Sequence, residues 1–273
     1  MLAGMTNPML PALPVRHLRA ALRSLPLHAA WRAGLSALSR TLDPWLPRAC
    51  ALCESSLTQP GTGLCRHCRM SLPGRSRPRC ARCGLGLPDS AACPACEQTA
   101  FAFDATCVLA DYAPPLDRLI GALKFGGQLA AAGALGRELA IALRRWQAGT
   151  PSGPLRPIDL IVAVPLSPAR RQQRGYDQAQ AIARALGRAS AIAHRRALVR
   201  LRQTRAQSTL PRLERADNLR NAFGARPGLR LDGAHVALID DVMTTGATLD
   251  AAARALRQAG AHRITAVVAA RTE

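Results

Sequence analysis

Short continuous apolar runs at 105–112, 159–164, 235–239 and 263–270 predict buried β-strands. Between them apolar side chains recur at helical spacing, which predicts helices over 115–123, 129–146, 168–187 and 248–259, the last closed by Gly260. Strands apolar on both faces that alternate with helices belong to a parallel sheet covered on both sides. The expected fold class is therefore α/β, a doubly wound and mostly parallel sheet over 101–273. Upstream the pattern changes. Residues 31–42 show helical spacing through Leu35, Leu38 and Leu42, and Pro44 ends it. Residues 48–100 have neither period and too few apolar residues to build a core alone. Residues 149–157 form a Pro/Gly loop. The chain thus divides into a basic N-terminal extension with a helix (1–47), a small module (48–100) and an α/β domain (101–273).

The module holds eight of the nine cysteines, as the pairs Cys50/Cys53, Cys65/Cys68, Cys80/Cys83 and Cys93/Cys96, with 11, 11 and 9 residues between successive pairs. A Cys-x-x-Cys knuckle aims two sulfurs at one metal, and two knuckles on neighbouring hairpins complete a tetrahedral zinc site. Four pairs make two such sites, and a closed shell of four thiolates leaves no open position, so both are structural. Iron–sulfur ligation is the alternative, which the regular paired spacing disfavours. Sequential pairing is the simplest arrangement, although spacing also permits a crossed one. Cys107, outside the pairs, reads as a buried small hydrophobe.

Composition narrows the classes. At 48% apolar residues the chain can pack a core, which excludes global disorder. Only 3% of residues are aromatic, so nucleic-acid binding would rest on charge more than on stacking. The basic side is 36 Arg and one Lys, Lys124, against 17 acids, a formal +20. Residues 156–230 hold 16 Arg and four acids, a net +12, with Arg195, Arg196 and Arg200 as candidates for one basic face. Such a field favours polyanionic partners, single-stranded DNA among them. No apolar run approaches the ~20 residues of a membrane span. Residues 1–27 are broken by Pro8, Pro11 and Pro14 and lack the apolar stretch of an export signal. With no acid before Asp43 they also fit a mitochondrial transit peptide. Nine cysteines without an export signal point to metal binding in a reducing cytoplasm.

The sharpest signal is Val-Ala-Leu-Ile-Asp-Asp-Val-Met-Thr-Thr-Gly-Ala-Thr at 236–248. A buried strand ends at Asp240 and Asp241, and Thr244, Thr245, Gly246, Ala247 and Thr248 turn into the next helix. Ligands of open α/β sheets sit beyond the carboxyl ends of strands. Two carboxylates there can accept hydrogen bonds from vicinal ribose hydroxyls. The main-chain N–H groups and hydroxyls of a Thr/Gly turn at a helix N-terminus cradle a phosphate. The segment is read as a ribose-phosphate loop.

That segment resembles the phosphoribosyl pyrophosphate (PRPP) motif of type I phosphoribosyltransferases. More narrowly, the chain from about residue 48 resembles the ComF (competence protein F-like) family, which joins a double zinc ribbon to such a domain. The likeness is carried by the cysteine pairs and Leu123-Lys124-Phe125-Gly126, by Val164-Pro165-Leu166, and by Arg174-Gly175-Tyr176-Asp177-Gln178. It continues through Arg202-x-Thr204-x-x-Gln207-x-x-Leu210 with Arg215, Asn218 and Phe223. One position departs: Asp177 stands where the family usually has Asn, which puts a hydrogen-bonding role there in question.

The resemblance implies that Val164, Pro165 and Arg174 face pyrophosphate, and that Arg202 and Gln207 lie on a loop that closes over PRPP. It implies that Asp240 and Asp241 hold the ribose and 244–248 the 5′-phosphate. Lys124, the one compact ammonium of an arginine-biased chain, reads either as a site residue or as a surface charge at a helix end. Mg2+ would accompany PRPP, and the two zinc ions would be structural. The implied role is enzymatic, a PRPP-dependent transfer, linked to natural competence and single-stranded DNA uptake with its machinery. The other reading is a non-catalytic nucleic-acid-binding or PRPP-sensing protein. An oligomer is compatible with either.

Overall fold

The computed structural model describes residues 49–59, 61–87, 92–149, 157–201 and 222–273. The helix expected at 31–42, most of the 149–157 loop, and Arg202 and Gln207 lie outside these residues.

Four strands form a parallel sheet in the order β1-β6-β5-β2: β1 (Ala105–Asp111), β2 (Leu160–Ala163), β5 (His235–Met243) and β6 (Arg263–Arg271). The period-two side-chain alternation of these strands divides the core into two layers. Ile161, Ala163, Ala237, Ile239, Val267 and Ala269 face one layer, and Leu160, Val162, Val236, Leu238, Ala266 and Val268 face the other. Every one of these residues is buried, which is why the strands read as unbroken apolar runs. The first layer is closed by α3 (Leu116–Phe125), α4 (Leu129–Ala148) and α6 (Gln178–Ser190). The second is closed by α7 (Ala247–Gln258) and by an antiparallel pair, β3 (Leu198–Arg200) with β4 (Phe223–Ala225). Cys107 is buried in the first layer.

Two elements differ from the sequence expectation. The single helix expected over 168–187 is two, α5 (Pro168–Arg174) and α6. Gly175 ends the first in the left-handed region at φ +76° and donates its N–H to Arg171, and Asp177 restarts the second as an N-cap accepting from Gln180 N at 3.1 Å. The strand expected to stop at Ile239 continues to Met243, so Asp240 and Asp241 lie within β5, Asp240 paired with Val268.

The eight cysteines form two repeats of one unit. In each, a hairpin knuckle (bridged Ala49 to Ser56, then Arg79 to Gly86) is followed by a helical turn. Those turns are α1 (Arg66–Met70), whose N-cap is Cys65, and α2 (Pro94–Gln98), whose N-cap is Cys93. Only the first knuckle of each repeat sits on a hairpin, not both as the spacing suggested. The two units dock on different layers. Glu138 of α4, 1% exposed, accepts from Gly63 N (2.9 Å) and Leu64 N (3.0 Å) and pairs with Arg69 at 2.6 Å, holding the first unit. The second lies against β1, where Thr106 N donates to Ala81 O at 2.9 Å. No helix among the described residues is long and apolar enough to cross a membrane.

Candidate functional site

A cleft of about 370 Å³ opens beyond the carboxyl ends of β2 and β5. Its floor is the acidic pair. Asp240 keeps one edge toward the cleft and is otherwise enclosed; that enclosure, then the adjacent Asp241 carboxylate, pushes its pKa up to about 8. Its Oδ1 accepts from Asp241 N at 2.9 Å, and Asp241 Oδ1 accepts from Val242 N at 2.7 Å. Lys124, at the end of α3, reaches in to place Nζ 3.2 Å from Asp241 Oδ2. The pair is therefore asymmetric at neutral pH: Asp240 carries a proton it can donate, and Asp241 is the carboxylate partnered by lysine. A vicinal diol can be met by a donor and an acceptor together.

One wall is the turn from β5 into α7. Thr244, Thr245, Gly246, Ala247 and Thr248 all line the cleft. Gly246 takes φ +82°, and a Cβ there would lie 2.8 Å from Met243 Cε and 3.0 Å from the Phe101 ring. Glycine is thus required twice over, by its dihedral and by the packing behind the loop.

The facing wall is Val164, Pro165, Leu166 and Ser167 with Arg170 and Arg174. The main chain of Val164, Pro165 and Leu166 has no N–H to spare for an anion. Val164 N donates to Ile239 O at 2.9 Å, Pro165 has no N–H, and Leu166 N donates to Asp177 Oδ2 at 3.0 Å. Anion binding on this side falls to the guanidinium groups. Asp177, 8% exposed, does have a hydrogen-bonding role, as acceptor for both Leu166 and Gln180, with Arg171 3.4 Å away.

Every described residue that the resemblance assigned to PRPP, and Lys124 with them, lines this cleft: Lys124, Val164, Pro165, Arg174, Asp240, Asp241 and 244–248. Arg200 is an addition. Expected beside Arg195 and Arg196 on an open face, it instead lines the cleft, half-buried over the Phe223 ring at 5.2 Å. Burial, with Arg170 nearby, pulls its pKa below the usual arginine value. Strands of three residues gave no periodic signal that could have placed it. Arg195 and Arg196 are exposed. On the rim, Phe125 is 82% exposed, and the Arg174 guanidinium stands 5.3 Å from its ring centroid.

A double zinc ribbon domain matches residues 41–97, and a phosphoribosyl transferase domain matches 172–273. The DNA utilization protein YhgH of Escherichia coli K12 is 34% identical over 221 residues, 80% of this chain and 95% of the relative. Competence protein F of Haemophilus influenzae is 33% identical over 218 residues, 79% and 93% of the two chains. The chain belongs to the ComF family. Competence protein ComFC of Bacillus subtilis is 37% identical over 101 residues, 37% of this chain and 39% of its own.

The two ribbons of this ComF chain fit structural zinc. Cys50, Cys53, Cys65 and Cys68 bring their sulfurs within 4.8 Å of one another, as do Cys80, Cys83, Cys93 and Cys96, so the pairing is sequential. Tetrahedral thiolates bonded at ~2.3 Å stand about 3.8 Å apart. The separations Cys53–Cys65 (3.7 Å), Cys80–Cys96 (3.7 Å) and Cys83–Cys93 (3.5 Å) are close to that edge.

Proposed function

We propose that this ComF-family protein binds PRPP with Mg2+ in the cleft and works with single-stranded DNA in natural transformation. The observation that carries the reading is the joining of the Asp240/Asp241 pair, the 244–248 turn and the cations Lys124, Arg170, Arg174 and Arg200 around one cavity. The turn at the α7 N-terminus takes the 5′-phosphate. Asp241 accepts from one ribose hydroxyl and protonated Asp240 donates to the other. Val164 and Pro165 shape the wall on which Arg170 and Arg174 meet pyrophosphate, and Arg202 and Gln207 add contacts from the segment beyond β3. Magnesium prefers oxygen ligands, which pyrophosphate and the ribose both offer, and it would supply charge neutralisation to the pyrophosphate. In a transfer, the bond from the anomeric carbon to pyrophosphate breaks and one to the acceptor forms, the acceptor giving up its proton. The arginines stabilise the charge that leaves.

The relatives named for DNA utilization and competence support the DNA side of the reading, as do the net +12 over 156–230 and the exposed Arg195 and Arg196. The second reading, a PRPP sensor or DNA-binding protein without turnover, is favoured by the same charge. Pyrophosphate release from PRPP with candidate acceptor bases separates the two. Acceptor-dependent release makes the protein a transferase; salt-dependent DNA binding without release makes it a DNA-binding protein or sensor. Loss of the PRPP-induced rise in melting temperature in the double variant Asp240→Asn, Asp241→Asn is the expected result, and an unchanged rise would place the ligand elsewhere.

A further inference from the structure

Arg271, the last residue of β6, is 5% exposed and runs beneath the ribose-phosphate loop. Its Nε donates to the Cys83 carbonyl at 3.2 Å, and its Nη1 donates to the Met243 carbonyl at 3.3 Å and to those of Thr244 and Thr272. One side chain thus ties a knuckle of the second ribbon to the residues that open the loop. These partners are all main-chain carbonyls. Burial works against the charge of Arg271, and the Cys83 and Cys93 sulfurs uphold it. Four thiolates around a zinc dication carry net negative charge, which matches the buried guanidinium.

A second path runs alongside. Arg82, between the knuckle cysteines Cys80 and Cys83, donates to the Phe101 carbonyl at 2.9 Å. The Phe101 ring is the surface against which Gly246 rests, and it stacks on Phe103 with centroids 4.7 Å apart. Ala102 N then donates to Asp250 Oδ1 of α7 at 2.6 Å. Cys83, Cys93, Phe101, Met243 and Leu249 share the second core layer. The first ribbon packs Cys50, Leu64, Cys68 and Leu72 into the opposite layer and docks on Glu138.

We infer that the second zinc ribbon is a positioning element of the cleft. Through Arg271 and Phe101 its metal-filled state fixes the 244–246 turn and so sets affinity for the phosphate group, while the first ribbon contributes stability alone. The ligand half of this inference rests on the cleft being a ribose-phosphate site; the loop half does not.

The test compares the intact chain with Cys96→Ser, Cys53→Ser and Arg271→Lys, zinc content being measured for each. Affinity for PRPP with Mg2+ is read by calorimetry, and hydrogen exchange at the 243–248 amides is read without ligand. Cys96→Ser should bind PRPP at least about tenfold more weakly, the usual cost of losing an outer-shell support, and exchange faster at 243–248. Cys53→Ser should lose one zinc and melting temperature but keep both site properties. Arg271→Lys keeps both zincs. Its single ammonium cannot span Cys83 and the loop carbonyls together, so it should behave as Cys96→Ser does. It also preserves the test if Cys96→Ser does not fold. Equal effects of Cys53→Ser and Cys96→Ser on loop exchange, or no effect of Arg271→Lys, would overturn the inference. If the parent chain binds no PRPP but the exchange asymmetry remains, the ligand reading fails and the strut stands.

Discussion

Lys124, the only lysine of the chain, holds its ammonium 3.2 Å from the Asp241 carboxylate on the floor of the cleft. The ammonium is also one of the few cations that a bound polyphosphate would meet. Replacing Lys124 with Ala should weaken PRPP binding about 10- to 100-fold, the worth of one charge-assisted hydrogen bond. Lys124→Arg should recover only part of that, because a planar fork does not fit the place of a compact ammonium. Calorimetric titration of the three proteins checks both statements.

Asp240 gives the free protein a pH signature. Its folded pKa, about 8, lies above the unfolded carboxyl value of 3.8. The folded state therefore binds a proton that the unfolded state has lost between those values. The contribution to stability is complete below pH ~4 and disappears as pH rises through about 8. The melting temperature should fall from pH 6 to pH 9, and Asp240→Asn should flatten that slope. Equal slopes in the two proteins would show that Asp240 is not enclosed.

Asp177 should trade stability against anion affinity. Asn retains one of the two acceptor oxygens that hold Leu166 N and Gln180 N, so Asp177→Asn should cost on the order of 1 kcal/mol in denaturant unfolding. Removing a negative charge beside Arg171 and the wall that carries Arg170 and Arg174 should tighten PRPP binding. Weaker binding in a variant with unchanged stability would contradict both parts.

The purified protein should carry two zinc ions per chain, and a strong chelator should lower its melting temperature, because metal binding is folding energy for ribbons of this kind. Iron, or no metal, in elemental analysis would refute the assignment.

Single-stranded DNA binding should separate charge from stacking. Neutralising Arg195 and Arg196 should reduce the salt slope by about 1.4 if each meets one phosphate, at ~0.7 per contact on single strands. Phe125→Ala should leave that slope alone and lower affinity by about 1–3 kcal/mol if one base stacks on the ring. Binding insensitive to salt would remove the electrostatic case altogether.

The strands and helices of the sheet were legible because their burial is two-sided and their spacing regular; Ile161 and Val162 face different layers, yet both are apolar. The zinc ribbons and the turn from β5 into α7 were legible because metal ligation fixes cysteine spacing and a Thr/Gly turn at a helix N-terminus has its own residue pattern. What escaped depended on tertiary contact. Arg200 entered the cleft through a hairpin too short to show a period. Asp177 turned out to be an acceptor only because folding brings Leu166 N to it, and the Arg271 strut joins residues 188 positions apart. Such relations have no local signature, since each partner would look ordinary in its own segment.

The pairing of β3 with β4 brings together two points that are distant along the chain. Leu201 N donates to Ala222 O at 2.8 Å, which closes the two positions that are separated by 20 residues of sequence, 202 to 221. The entropy of a chain whose ends are already joined changes slowly with its length, by roughly 0.6 kcal/mol per doubling. The pairing of β3 with β4 therefore depends little on how many residues join Leu201 to Ala222.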